Sequence, residues 1–470
     1  MGTKFILGQE DGTNAGGNAR GDSAVDLQTS RGANTQVASG NYAVISGGQN
    51  NTATGVQSFT GGGFQNSTTD SLATTVGGRQ NTAGYASFMG GGQSNNAGAF
   101  WGVCVGGQRN TSIGYGFVGG GLDNSITTGG YSNIVGGELN VVNTGAGTNA
   151  YSVISGGRSN SITSAYSTIS GGQSNTASTN THATVVGGFS NTSSGQGSVS
   201  GGLSNTASGV WSTAFGYLNT VSGSNGSFAA GQSNNVTGNF SAAFGAANTV
   251  SGERNFAAGV SNVVSGTLGN ATFGNNNTVS SDLSSFATGR QNESSGYGFV
   301  SGYRGITIGY ASRVLSNNAF STLGSSQIRE MIASRNALLT SAATTTLSLD
   351  GTGVTNLIST LYDANRMWHV TLKYVAVVTS ITGTATGVTI GDIKTQTIEL
   401  GMKRVITVSS LVGAGNFSTP QQDTSMNSAS LIPTIVGNDL ILTFTAPTFA
   451  GGGSVNCRVV AKVELVEVGY

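Results

Sequence analysis

The sequence predicts an all-β protein: a parallel β-roll or solenoid shaft built from short repeats, followed by a C-terminal β-sandwich. Three observations carry this prediction. A turn-forming unit such as SGGQNNTATG (46–55) returns at a fixed short interval over more than half of the chain. Between the turns, as in YSVISGG and YSTISGG, β-branched and aromatic residues recur at period two, the spacing of a strand face. Proline occurs only at Pro420, Pro433 and Pro447, in a last quarter of otherwise ordinary composition, so two regions are present.

The repeat is anchored on an Asn that follows a Gly by three positions. It recurs seventeen times, from Asn51, Asn66 and Asn81 to Asn262, Asn277 and Asn292, with a mean spacing of about 15 residues; only Asn140 to Asn160 is much longer, where VVNTGAGTNA is inserted. Such a unit is too short for a helix pair and suits one turn of a coil. Glycine supplies the positive φ that turns need, and Asn is the best non-glycine residue for a left-handed position. The anchor Asn is therefore expected at that position, stacked about 4.8 Å from its neighbours with amides bonded along the column.

Later rungs carry a sharper pattern six and four residues before the anchor. Phe changes place on each rung: Phe215 with Thr213, Phe228 with Ala230, Phe244 with Ala242, Phe256 with Ala258, Phe273 with Ala271, Phe286 with Thr288. Large above small is expected to fill a narrow core and hold the rungs in register. Earlier rungs carry Gly-Gly there and bury little. A coil this thin cannot offset its chain entropy alone, so a core shared between copies around a symmetry axis is expected. The rungs, over residues 41–312, would form a rod on the order of 80 Å long.

The unit seen at Asn205–Gly216 and Asn175–Gly188 resembles the YadA-like head repeats of trimeric autotransporter adhesins, and more closely the related repeats of bacteriophage tail fibres. The resemblance covers roughly residues 40 to 310. It implies a left-handed parallel β-roll, three chains packing around one axis, and hence a homotrimer.

Past residue 312 the repeat stops. SSQIREMIASRNALLTSA (325–342), in a neck of 313–343, is compatible with a short helix or an extended segment. Strands are expected at 344–351, 367–381, 396–410, 439–447 and 455–470, which makes 344–470 a β-sandwich. TTTLSLDG, WHVTLKYVAVV and AKVELVEVGY resemble the terminal domain of tail-fibre proteins with the same upstream rolls. Residues 1–40 are irregular, with mixed charge, and are expected to form a virion-attachment segment or a loosely ordered tail.

Composition limits the chemistry. With 19 basic and 19 acidic residues and a net charge of zero, the footprint of nucleic-acid binding is missing. Cys104 and Cys457 suggest two buried thiols rather than a disulfide framework. His182 and His369 lack recognisable partners, and neither zinc nor calcium spacing occurs, so no metal, cofactor or catalytic residue is nominated. The Gly-rich stretches lack the Lys-Ser/Thr of a phosphate loop. Carboxylates in the repeats are too few to nominate a glycosidase pair, though one could form between chains. The tripeptide RGD at Arg20–Asp22 matches a cell-attachment motif by three residues only. Candidate binding aromatics are Trp101, Trp211 and Trp368, each with core or inter-chain packing as its alternative; Trp368 is nearest the expected tip and is the receptor-binding candidate. The loop 413–427 is a second place for recognition. No run is long and apolar enough to span a membrane, and the N-terminus lacks the apolar stretch of a signal peptide.

The resemblance thus implies a structural virion fibre rather than an enzyme, extracellular after lysis. Its N-terminus would join other virion proteins and its C-terminal domain would meet a host surface glycan or outer-surface protein. The alternatives are a bacterial trimeric adhesin passenger, which needs a membrane anchor, and an ice-binding solenoid using Thr52, Thr82, Thr176 and Thr206, a column interrupted by Ser67, Asn96 and Ser125.

Overall fold

The computed structural model describes residues 5–6, 11–14, 16–98, 100–128, 130–145, 150–282, 284–307, 312–316, 326–348, 358–359, 366–405, 408–418, 420–436 and 439–469. The protein is all-β, a parallel β-solenoid followed by antiparallel sheets, and it divides into two compact units, Met1–Thr237 and Gly238–Tyr470.

In the first unit each rung contributes two short strands. Val103–Cys104 lies parallel between Phe88–Met89 and Phe117–Val118. After the turn, Thr111–Ser112 lies parallel between Asn96–Ala97 and Ser125–Thr128. Alternation sends one side chain of each strand inward, so the interior is two columns thick. Met89, Cys104, Val118, Ile134, Ile154 and Ile169 form one column, and Ala97, Ser112, Ile126, Val142, Ile162 and Ala177 the other, all fully buried. Away from this stretch some inward positions carry Thr or Ser instead. Their hydroxyls then pair across the interior, as in Thr60 Oγ1 with Thr68 Oγ1 (3.0 Å) and Ser193 Oγ with Ser200 Oγ (2.9 Å).

The anchor asparagines are buried and bonded to one another through the backbone. The Asn110 backbone N–H donates to Asn95 Oδ1 (2.8 Å), and the Asn124 N–H to Asn110 Oδ1 (2.9 Å). Asn110 Nδ2 donates to the carbonyls of Gly106 and Gly121, both 2.9 Å away. One side chain thus closes its own turn and ties it to the rungs before and after. The column runs from Asn51 to Asn234 in the first unit, and its first member donates its N–H to Gln28 Oε1.

The left-handed position, however, belongs to the residue before the anchor. Gln80, Arg109, Leu139 and Ser174 have φ of 57°, 54°, 56° and 58°. The Asn amide is fully used by its hydrogen bonds, which hold the turn from inside and let ordinary side chains take the positive φ outside. The Gly three before the anchor is required twice over. Gly107 has φ of +84°, and a Cβ there would lie 2.2 Å from the Gly121 carbonyl oxygen.

The described part of the segment before residue 40 is folded onto the coil. Val25–Asp26 pairs in parallel with Val44–Ile45. Asp26, fully buried, accepts from Arg20 Nε (3.1 Å) and Arg31 Nη2 (3.0 Å), and Arg20 also donates to the Gly16 carbonyl. This ion cluster takes an inward place near the first rungs, and Phe5–Ile6 pairs in parallel with Val25–Asp26 on its other side. Residues 1–4 and 7–10 lie outside the described residues.

In the second unit the same ladder links Asn248, Asn262, Asn277 and Asn292, and the N–H of Gly305 donates to Asn292 Oδ1. A second buried amide ladder at the other corner, Asn255 to Asn270, is continued by Ser285 and is not expected from the sequence. The Phe checkerboard faces outward, contrary to the expectation of a filled core. The interior residue is the one between the two positions: Ala243, Ala257, Thr272 and Ala287, all fully buried. Phe244, Phe256, Phe273, Phe286 and Phe299 instead form an outer ladder with centroids 5.2–5.7 Å apart. Alternation sends the middle residue of each strand inward, so the two positions flanking it both face outside.

The segment expected as a neck is part of the sheet. Gly298–Tyr303 pairs in parallel with Ser312–Ser316, which pairs antiparallel with Ser326–Leu339. Ser326–Leu339 is a strand rather than a helix, and it pairs antiparallel with Ser454–Gly469. Arg366–Thr382, Ile393–Val405 and Val408–Phe417 extend this sheet. A smaller sheet places Asp439–Thr445 between Thr344–Leu347 and Ser430–Val436. The two sheets enclose one core that includes Leu372, Tyr374, Leu442, Phe444 and Val459.

Asn175→Ala should lower the melting temperature, because it strips partners from the carbonyls of Gly171 and Gly188 and from the Asn191 N–H, each worth about 1–3 kcal/mol when left unpaired and buried. Gln173→Ala, at an exposed position of the same turn, should leave it within the error of the melt. Equal melting of the two variants would contradict the ladder's role.

Candidate functional site

Exposed side chains of a stacked coil form columns, because each rung presents the same position to the same side. Two columns and one cleft stand out.

The first column is apolar and lies on the outer face of the first-unit strands. Phe59, Phe88 and Phe117 alternate with Val76, Val105 and Val135, all between 37% and 55% exposed. Each Phe is followed two residues later by Gly. A Cβ at Gly61 would stand 3.2 Å from the Phe59 ring, and one at Gly119 3.3 Å from the Phe117 ring. The glycines leave hollows beside the rings, giving a face of knobs and holes. The outer Phe ladder of the second unit has the same origin.

The second column lies at the turn two residues before each first strand. Tyr115, Tyr131, Tyr151, Tyr166 and His182 stack in sequence, with centroids 4.7, 5.0, 5.6 and 5.2 Å apart and planes within 27°. Residues beside these rings are small (Gly114, Ala150, Ala165, Thr181), so the rings stand clear of the backbone. Trp101 and Trp211, 52% and 62% exposed, occupy the same position on other rungs. Next after His182 the position is Gly197, and the Trp211 ring lies against it: a Cβ there would be 2.5 Å from the indole. The seven aromatic residues share one register. That register shows only when the rungs are aligned; Trp and His taken singly do not reveal the tyrosines beside them.

The cleft, of about 370 Å³, lies in the C-terminal sheets and is lined by Lys373, Tyr374, Val375, Thr395, Gln396, Thr397, Ser418 and Gln421. Its walls are set by hydrogen bonds. Tyr374 Oη donates to Gln396 Oε1 (3.2 Å), Gln396 Nε2 donates to the Ser418 carbonyl, and the Thr397 N–H donates to Ser418 Oγ. Burial pushes the Tyr374 hydroxyl up to about 12. Beneath, Lys394 turns inward and donates to the carbonyls of Ala429 and Asn427, and burial lowers its pKa.

Most of the candidates nominated from sequence take structural places. Trp368 is 5% exposed and packs in the C-terminal core, its strand position lying between Met402 and Glu467, so its ring serves packing. His369 points to the opposite, exposed face. Within 413–427, residues 413–417 belong to the Val408–Phe417 strand, and a short 3-10 turn, Thr424–Met426, comes after it. Arg20 of the RGD tripeptide is buried against Asp26 and is not displayed. Cys104 and Cys457 are free and buried, and burial pushes both thiols up to about 11. Among the described residues no group of three or more His, Cys, Asp or Glu could hold a metal ion.

No protein-family model matches the chain, and no curated relative does. Two similar solved structures are tailspike proteins of Acinetobacter phages. The Acinetobacter baumannii phage AM24 tailspike is 10% identical, the match covering 97% of this chain and 76% of that one at a TM-score of 0.21. The Acinetobacter phage vB_ApiP_P1 tailspike is 8% identical, covering 95% and 74% at 0.19. Likeness at these TM-scores carries no argument about function.

The Cys104 thiol supplies a test of the first-unit interior. Its folded pKa is raised, so its contribution to stability is complete below the ordinary value of 9.0 and is lost as pH rises through about 11. A melting difference between wild type and Cys104→Ala measured at pH 8 should therefore shrink between pH 9 and 11, and a thiol reagent at pH 8 should label the cysteine only after unfolding. Rapid labelling of the folded chain would place the thiol outside.

Proposed function

We propose that the chain is a homotrimeric fibre of a bacteriophage virion that adheres to the host cell surface. The observation that carries this reading is the outer apolar face. Its Phe and Val knobs and Gly hollows extend rung after rung on a solenoid whose own interior is only two side chains thick. A soluble protein exposes so long an apolar stripe when another surface covers it. Repetition along a parallel coil makes identical neighbouring chains, side by side, the natural cover. The YadA-like repeats and the C-terminal motifs, read from sequence, point to the same assembly.

In this reading the roll is the shaft, the N-terminal segment joins the virion, and the C-terminal sheets with the Lys373–Gln421 cleft carry a receptor-binding surface for glycan or outer-surface protein. Three copies on one stiff rod would bind a cell together where one site would let go. No turnover is involved.

Light scattering after size exclusion should give close to three times 46.9 kDa, with a band that resists unheated SDS. Phe117→Asp, which puts a charge on the outer face, should dissociate the assembly while the β-rich circular dichroism persists. A well-folded wild-type monomer would overturn the reading. Labelled protein that decorates no strain in a broad bacterial panel would remove the adhesive half of it.

A further inference from the structure

We infer that the aromatic column from Tyr115 to His182, with Trp211 laid over Gly197, is a binding track for an extended, uncharged polysaccharide. This rests on the adhesive reading and gives it a second site, on the shaft rather than in the C-terminal sheets.

Four features of the column identify its occupant. The rings are offset rather than flush: centroids 4.7–5.6 Å apart exceed the contact distance of stacked carbons, about 3.5 Å, so they overlap like shingles and each shows part of a face. Tyr115, Tyr131, Tyr151 and Tyr166 are 42–51% exposed, a high value for aromatic rings that no function requires at a surface. The shingled faces offer an apolar platform, and the phenolic hydroxyls offer a row of donors and acceptors beside it. That pairing matches a pyranose chain, which has apolar C–H faces, hydroxyl edges, and an advance per sugar comparable to the ring spacing.

Charge narrows the choice further. Between residues 113 and 183 the only Asp, Glu, Lys or Arg are Asp123, Glu138 and Arg158, and these sit at the asparagine corner rather than among the rings. Single-stranded nucleic acid also stacks on aromatic platforms, but it needs a basic groove. An acidic capsule would need the same cations. A neutral glycan needs neither. The small residues beside the rings leave lateral room for a chain running along the column.

The test is affinity electrophoresis of the full-length assembly through gels holding dextran, mannan, galactomannan or hydroxyethylcellulose as neutral polymers, and alginate as an acidic one. Wild type should be retarded by at least one neutral polymer and not by alginate alone. Tyr131→Ser with Tyr166→Ser, and separately Trp211→Ala, should each weaken that binding by about tenfold per ring removed. Gln173→Ala, exposed at the asparagine turn and away from the rings, should not. Melting curves equal to wild type will show that the exposed substitutions leave the fold intact.

Retardation of the double variant equal to wild type, retardation by alginate only, or no retardation of wild type by any neutral polymer would each overturn the proposal. The two readings fail separately. A trimer with unaffected variants keeps the fibre and loses the track. A monomer whose ring variants lose polysaccharide keeps the track and loses the fibre.

Discussion

The buried asparagine ladder is the constraint on which the rest of the solenoid depends. An amide inside a protein must place its donors and its acceptor or cost several kcal/mol. Each anchor Asn does so with its own turn, the next turn and the next backbone N–H, as at Asn110. Those partners exist only when rungs stack in register at strand spacing. The amides therefore specify registration, where an aliphatic interior alone would tolerate sliding. The glycine column has its origin in the same closeness, since the turns approach until a Cβ at Gly107 has no space. So does the positive φ of the residue before each anchor, because the held amide fixes where the chain must reverse.

A core two side chains thick has consequences outside. The interior holds one side chain per strand, so inward positions take aliphatics such as Ile134 and Ile154, and the flanking positions send large residues such as Phe117 and Phe244 to the outer face. Stacking then converts sequence repetition into surface columns. One turn position becomes a run of Tyr, and two outward strand positions, two residues apart, carry Phe and Val on alternate rungs. The two properties proposed for the protein, side-by-side assembly and adhesion along the shaft, both arise from rungs that differ little from one another.

Much of the fold is legible because periodicity is a property of the sequence. The anchor Asn and the period of about 15 residues locate the rungs, and alternation locates the strands of Arg366–Thr382 and Ser454–Gly469. Periodicity cannot say which of two adjacent residues faces inward. The expectation of an inward Phe checkerboard fails for that reason, since in a strand one residue of shift exchanges the faces. The left-handed residue is displaced by one from its expected place for a related reason: propensity favours Asn at positive φ, but tertiary hydrogen bonding claims the side chain first. Ser326–Leu339 is ambiguous in sequence because its alternation is weak, and pairing with Ser454–Gly469 decides it. Trp368 draws attention as a rare residue near an expected tip, yet it alternates with Val370 and Leu372 on the buried face. The tyrosine column is readable only by aligning rungs first and asking what each position repeats.

Strand edges of the coil are treated differently from its strand faces. A parallel stack leaves an unpaired edge at each terminus, an invitation to end-to-end growth. Near the start of the first unit, Gln28 substitutes for an anchor amide, and the buried Asp26, paired with Arg20 and Arg31, takes an inward place that later rungs give to an uncharged residue. In the second, Ser312–Ser316 hands the edge to an antiparallel strand, Ser326–Leu339, whose other side is already taken by Ser454–Gly469. That pairing opposes extension from this edge. The apolar stripe on the strand faces meets no equivalent barrier: it carries neither a covering loop nor a line of charge among Phe59, Val76, Phe88, Val105 and Phe117. In the proposed assembly, association is steered to the sides, and lateral packing of parallel copies would give a length set by the number of rungs. An end-to-end fibril lacks that property, and the fibre proposed for this chain would depend on it.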